Sequence, residues 1–204
     1  MKILAIGAHP DDIEFGCAGT LVKYTAKGTK LYLLVVSDGS LGGDPEVRRL
    51  EQEASAKIMD TKNLIWGGYK DTFILFDKKL IDLIEDVIKK IKPSFIFVNY
   101  PDDTHQDHVL LAKATIAATR YTTNVLFYET PTSIDFKPLV FVDVGNSLDK
   151  KIQCLKAHKS QVPKTNIPGS DVVDIALATA RYRGTLGRVT YAEGFYPLRL
   201  FINI

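Results

Sequence analysis

Apolar runs of strand length alternate with segments of helical period along the chain, and this alternation limits the fold more than any other feature. Strands are expected at Lys2–Ala8, Lys30–Val36, Asn63–Gly67, Ser94–Asn99 and Asn124–Tyr128. Helices are expected at Gly16–Lys27, Pro45–Met59, Lys79–Ile91 and Asp107–Thr122. The second of these starts well, with Asp44 as N-cap and Pro45 in the first turn. The third carries Leu80, Leu83, Ile84, Val87, Ile88 and Ile91 as one stripe and stops before Pro93. Strands with little internal polarity, separated by helices, specify an α/β protein whose mainly parallel sheet is covered on both faces.

Beyond residue 128 the pattern loosens around Pro131, Pro138, Pro163 and Pro168. Strands at Leu139–Val144 and Arg188–Phe195 and helices at Ser147–His158 and Asp171–Arg183 are expected there. With no repeat, linker or low-complexity stretch, residues 1–204 read as one domain with a C-terminal elaboration.

Composition removes several function classes. The 204 residues are 46% hydrophobic, too apolar for a disordered chain. Lys+Arg total 26 against 24 Asp+Glu, a net charge of +2, so nucleic acid is not an expected partner. The longest stretch without a charged residue or histidine, Pro93–Pro101, is far short of the roughly 18 apolar residues of a membrane span. The apolar start gives way at once to His9 and Asp11, so no signal peptide is expected. Cys17 and Cys154 make no disulfide framework, and a cytoplasmic setting follows.

The four histidines are unevenly spread: three fall in two short polar clusters, and His158 stands apart. Ala8-His9-Pro10-Asp11-Asp12-Ile13-Glu14 follows the first strand, and Asp102-Asp103-Thr104-His105-Gln106-Asp107-His108 follows the fourth expected one. In a doubly wound sheet of order 3-2-1-4-5 those two strands are neighbours at the switch point, where ligands bind. Imidazole and carboxylate together suit a divalent metal such as zinc, and His9, Asp12 and His108 supply three ligands with a fourth position open. Such a metal lowers the pKa of bound water to roughly 7. Asp11 is then free as general base, His105 can protonate a leaving amine or stabilise an oxyanion, and Asp107 can hold the His105 tautomer. Glu14 reads as a helix-start carboxylate. Asp/His clusters at strand ends also build two-metal phosphoesterase sites. A binding-only module is a third reading, although the carboxylates after the first strand would repel a pyrophosphate.

These residues resemble the PIG-L / LmbE-like family of zinc-dependent N-acetylglucosaminyl deacetylases. The resemblance rests on Ala8-His9-Pro10-Asp11-Asp12 with Glu14, Gly16 and Gly19-Thr20, and on His105-Gln106-Asp107-His108. Ser37-Asp38-Gly39, Arg48 with Glu51, Asp71, His158-Lys159-Ser160-Gln161 and Tyr191–Phe195 look like lesser family features. The resemblance implies a Rossmann-like fold and removal of the acetyl group from an amino-sugar conjugate or oligosaccharide. It implies one metal per chain, zinc or ferrous iron, on His9, Asp12 and His108. It implies Asp11 as base, His105 with Asp107 at the intermediate, and Arg48 and Asp71 on sugar hydroxyls. It also implies a homo-oligomer, trimer or hexamer. One position departs from the pattern: some members carry Tyr two residues before the catalytic His, and here Asp103 stands there, a carboxylate that would repel an oxyanion.

Overall fold

A computed structural model describes residues 1–202. Seven strands form one sheet in the order β3-β2-β1-β4-β5-β7-β6. These are β1 (Lys2–Gly7), β2 (Lys30–Ser37), β3 (Thr61–Tyr69), β4 (Phe95–Asn99), β5 (Val125–Tyr128), β6 (Val140–Asp143) and β7 (Ala192–Arg199). The first five run parallel in the expected order, and β7 and β6 extend the sheet antiparallel beyond β5.

The helices are α1 (Asp12–Thr25), α2 (Pro45–Ile58), α3 (Lys78–Ile91), α4 (Gln106–Ala118), α5 (Leu148–Ala157) and α6 (Val172–Gly187). Alternate strand residues face opposite layers. Ile3, Ala5, Leu31, Leu33 and Phe97 pack with Ile13, Cys17 and Leu21 of α1. Leu4, Ile6, Leu34, Ile96 and Val98 pack with Ile84 and Val87 of α3 and Leu111 of α4. Both strand faces are buried, which is why these strands read as continuous apolar runs.

Several boundaries differ from the sequence reading: α4 ends at Ala118 instead of Thr122, α6 runs on to Gly187 instead of Arg183, and two further shifts have a clear cause. Helix α1 begins at Asp12, four residues before the expected Gly16, because Asp11 takes a left-handed conformation (φ 95°) and turns the chain straight from β1 into the helix. Strand β7 spans Ala192–Arg199 instead of Arg188–Phe195. Arg188 is the left-handed cap of α6, and the strand continues through Pro197, opposite Leu126 of β5. Strand β6 pairs only with Ala192–Phe195, so Pro197 has an open edge on its other side, where a missing N–H costs nothing.

The carboxyl ends of β1, β4 and β5 are tied together. Asn99 Oδ1 accepts from the Ala8 N–H (3.2 Å) and the Tyr128 hydroxyl (3.1 Å). This brings the two polar clusters to one crevice.

Candidate metal centre

His9 and Asp12 sit on either side of the tight turn into α1, where the His9 N–H donates to Asp12 Oδ2 (2.9 Å). His9 Nδ1 is 3.5 Å from Asp12 Oδ2, and His108 Nε2 is 3.2 Å from Asp12 Oδ1. The three expected ligands therefore converge, all buried. His9 Nε2 also stands 3.0 Å from Asp71 Oδ1 and 3.1 Å from Asp107 Oδ2. Donor atoms of His9, His105 and His108, and separately of His9, Asp71 and Asp107, lie within 4.8 Å of one another.

Burial would lower the pKa of both His9 and His108, but the carboxylates outweigh it. His9 rises well above its usual value, through Asp107, Asp12 and Asp71, and His108 rises to about 9, through Asp12 and Asp103. Asp12 is held well below the carboxylate range: burial opposes this, and His108 and His9 outweigh it. Among the described residues His108 Nε2, Asp71 Oδ1 and Asp107 Oδ1 are buried without a hydrogen-bond partner. Unpaired imidazole nitrogen and carboxylate oxygen crowded in one buried spot fit a divalent cation.

Asp11 lies beside this cluster with its side chain 29% exposed, and burial pushes its pKa up to about 6 although Arg48 and His158 pull it down. Arg48, from α2, donates to Asp11 Oδ2 (3.1 Å), Pro10 O (2.6 Å) and Gly39 O (2.8 Å). Its guanidinium is thus largely committed to the protein, where the sequence suggested a contact to substrate. The Asp11 N–H donates to Gln52 Oε1 (3.3 Å), and Gln52 Nε2 donates to Glu14 (2.6 Å). His158 is buried against Glu14 (3.5 Å) and lines the same cavity as Asp11.

His105 is the N-cap of α4, and its Nδ1 accepts from the Asp107 N–H (3.3 Å). Its ring lies 4.5 Å from that of His9 and 4.8 Å from that of His108, centroid to centroid. The Asp107 carboxylate accepts from the Thr72 N–H (2.8 Å) and meets His9, so its partner ring is His9 and not His105. In the first turn of α4 it points across the crevice, and the β3–α3 loop comes to meet it. That loop bends at Thr72, which is left-handed (φ 65°) despite its β-branch.

Asp71 is fixed by two neighbouring loops. Its N–H donates to Asp38 Oδ1 (3.0 Å), and its Oδ2 accepts from the Leu41 N–H (3.1 Å). Asp38 is therefore a loop anchor. Of the apolar run Phe73–Phe76, only Ile74 is buried.

Gln52 and Thr130 had no motif to mark them. Thr130 joins the crevice from the loop after β5, its Oγ1 3.4 Å from His108 Nδ1. The cavity in front of the cluster measures about 650 Å³. Phe15, Leu155, Val172 and Ile175 make its apolar wall, and Lys164, Thr165 and Asn166 lie along its rim.

A mainly parallel sheet whose switch point gathers three histidines and four carboxylates suits a hydrolase-type metal centre better than a nucleotide site. The chain belongs to the PIG-L family of GlcNAc-PI de-N-acetylases, which matches residues 4–119. It is 36% identical to the uncharacterized deacetylase YaiS of Escherichia coli K12, over 78% of this chain and 90% of that protein. It is 29% identical to the diacetylchitobiose deacetylase of Thermococcus kodakarensis, over 100% of this chain and 85% of that protein. The crystal structure of the conserved protein TT1542 from Thermus thermophilus superposes with a TM-score of 0.88 at 24% identity, covering 98% of this chain and 96% of the other.

Proposed function

We propose that this chain hydrolyses the N-acetyl amide of a substrate containing N-acetylglucosamine, releasing acetate and the free amine. One divalent cation, zinc or ferrous iron, is held by His9, Asp12 and His108. The observation that carries this reading is the convergence of Asp11, His105 and that ligand set on one cavity. The diacetylchitobiose deacetylase relative supports the choice of substrate class.

When bound, the cation polarises the acetyl carbonyl and acidifies water. The chain's own groups do the rest. Asp11 takes a proton from the attacking water, and Arg48 fixes the carboxylate that receives it. His105 accepts at Nδ1 from the Asp107 N–H, so in the neutral ring the proton is on Nε2. That nitrogen is the donor to the oxyanion or the leaving amine. Burial, with His9 and His108 nearby, keeps the His105 pKa low and favours this neutral form. Asp107 holds His9, Arg48 holds Asp11, and Asp71, on the cavity wall, faces the sugar. The apolar wall of Phe15, Leu155, Val172 and Ile175 takes the less polar face of the substrate.

In this reading residues 1–204 act as one cytoplasmic domain. Buried, unpaired Cys17 and Cys154 suit a reducing compartment, and among the described residues no helix is long and apolar enough to cross a membrane. A trimer or hexamer is part of the same proposal, supported by exposed Phe73, Leu75 and Phe76 beside the site, and light scattering on the purified protein tests it.

The deciding experiment is metal analysis together with amine release from a panel of N-acetylglucosaminides. One zinc or iron per chain, and amine release lost in Asp11→Asn and His108→Ala, is the expected result. Two metals per chain with phosphoester cleavage, or no metal after reconstitution, would overturn it.

A further inference from the structure

Asp103 is not among the residues lining the cavity, although His105 and His108, which follow it in the chain, are. Its carboxylate is buried and fully engaged by the protein. Oδ1 accepts from the His105 N–H (2.8 Å). Oδ2 accepts from the hydroxyls of Thr130 and Ser133, both at 3.0 Å, and lies 3.2 Å from His108 Nδ1. An isolated antiparallel bridge to Ser133, with Thr104 N–H to Thr132 O (3.0 Å) and Ile134 N–H to Asp102 O (2.9 Å), locks the two loops together.

We propose that Asp103 is a positioning residue for the metal ligand His108: it holds the ring proton on Nδ1 and leaves Nε2 bare for the cation. A carboxylate only accepts, so every group around Oδ2 must turn its hydrogen toward it. Thr130 Oγ1 is 3.4 Å from His108 Nδ1 and is by itself able to donate to that nitrogen, which would drive the ring proton to Nε2. With the Thr130 proton committed to Asp103, Nδ1 is the remaining donor. The nitrogen this leaves bare is the buried Nε2 that has no hydrogen-bond partner and faces Asp12. A carboxylate behind a ligating imidazole fixes the ring and raises its basicity. The residue that departs from the family's Tyr thus faces away from the cavity, toward the back of the ligand.

The inference rests on the proposed function only in taking His108 as a ligand. Asp103→Asn leaves one acceptor where there were two, so its NH₂ must face either the His105 N–H or His108 Nδ1. In the first case a backbone donor is orphaned, and in the second the ring tautomer flips. Zinc affinity of the metal-free protein, measured by chelator competition, should fall about 10–100-fold in Asp103→Asn. Ser133→Ala removes a donor to the same oxygen without touching the ring, and should keep the wild-type Kd. Thermal melts of the metal-free variants report folding separately. If Asp103→Asn does not fold, ¹⁵N-histidine spectra of the zinc-loaded wild type decide: Nδ1 protonated supports the inference, and Nδ1 bound to metal overturns it. Equal zinc Kd in wild type and Asp103→Asn overturns the inference alone. Wild type that binds no zinc overturns it together with the ligand assignment.

Discussion

Arg48 Nη2 stands 3.1 Å from Asp11 Oδ2, and the same guanidinium also binds the carbonyls of Pro10 and Gly39. One planar fork thus ties Asp11, the proposed general base, to the turn after β1 and to the loop after β2. Lysine cannot make these bonds together. Arg48→Lys is expected to lower kcat/KM on the order of 10²-fold through misplacement of Asp11. Arg48 pulls the Asp11 pKa down, so losing it pushes that pKa further up. The base must be deprotonated, so the acidic limb of the pH–rate profile should move to higher pH in Arg48→Met. An unmoved limb would show that Arg48 does not act on Asp11.

Glu14 and His158 form a buried pair at the edge of the site, 3.5 Å apart, with His158 lining the cavity. Burial would raise Glu14, but His158 and the hydroxyl of Ser55 hold it below 4.5. Burial would lower His158, but Glu14 raises it above 6.5. The Glu14 contribution to stability is present above 4.5 and is lost as pH falls through its lowered pKa. The His158 contribution is present below 6.5 and is lost as pH rises through its raised pKa. Between those values, breaking the pair with His158→Gln should cost about 3 kcal/mol by urea unfolding. The gap from wild type should narrow toward pH 9. A gap that is constant from pH 5 to 9 would assign the loss to packing alone.

Gly16 packs the first turns of α1 against the ring of Tyr128. A Cβ at position 16 would fall 2.0 Å from a ring carbon. The ring cannot retreat easily, because its hydroxyl donates to Ile6 O (2.8 Å) and meets Asn99 Oδ1 (3.1 Å), which ties the strand ends under the site. Gly16→Ala is expected to cost at least the ~1–3 kcal/mol of an overpacked core. Its Tm, measured by calorimetry, should fall by several degrees. A wild-type Tm would mean that α1 shifts freely on the sheet.

Cys17 and Cys154 are buried, and burial pushes both thiols up, that of Cys154 to about 12. The thiolate is the reactive form. Neither should react with an aromatic disulfide reagent at pH 8 in the native protein, and both should react once it is unfolded. Rapid labelling of Cys17 in the native state would contradict its place in the core.

The sheet was legible because its strands are apolar on both faces, and the pairing of the two polar clusters followed from strand order alone. Less of the site could be read. Asp107 was assigned to His105 from proximity in sequence, yet its carboxylate meets His9, 98 residues away, because α4 aims it across the crevice. Asp103 looked hostile to the chemistry because nothing in the chain announces that Thr130 and Ser133 arrive to bind it. Strand β7 was misplaced because Pro197 argues against a strand, and only the short reach of β6 makes it harmless.

The sequence by itself determined the parallel order of β1–β5 and the identity of the histidines and aspartates that meet at the switch point. These depend on hydrophobic period and on which side chains carry imidazole or carboxylate, and both are local properties. Only the tertiary structure decided which carboxylate faces which ring and which cation is committed to the protein. Hydrogen bonds form or fail within a few tenths of an ångström, and that precision is set by how helices, loops and sheet pack together.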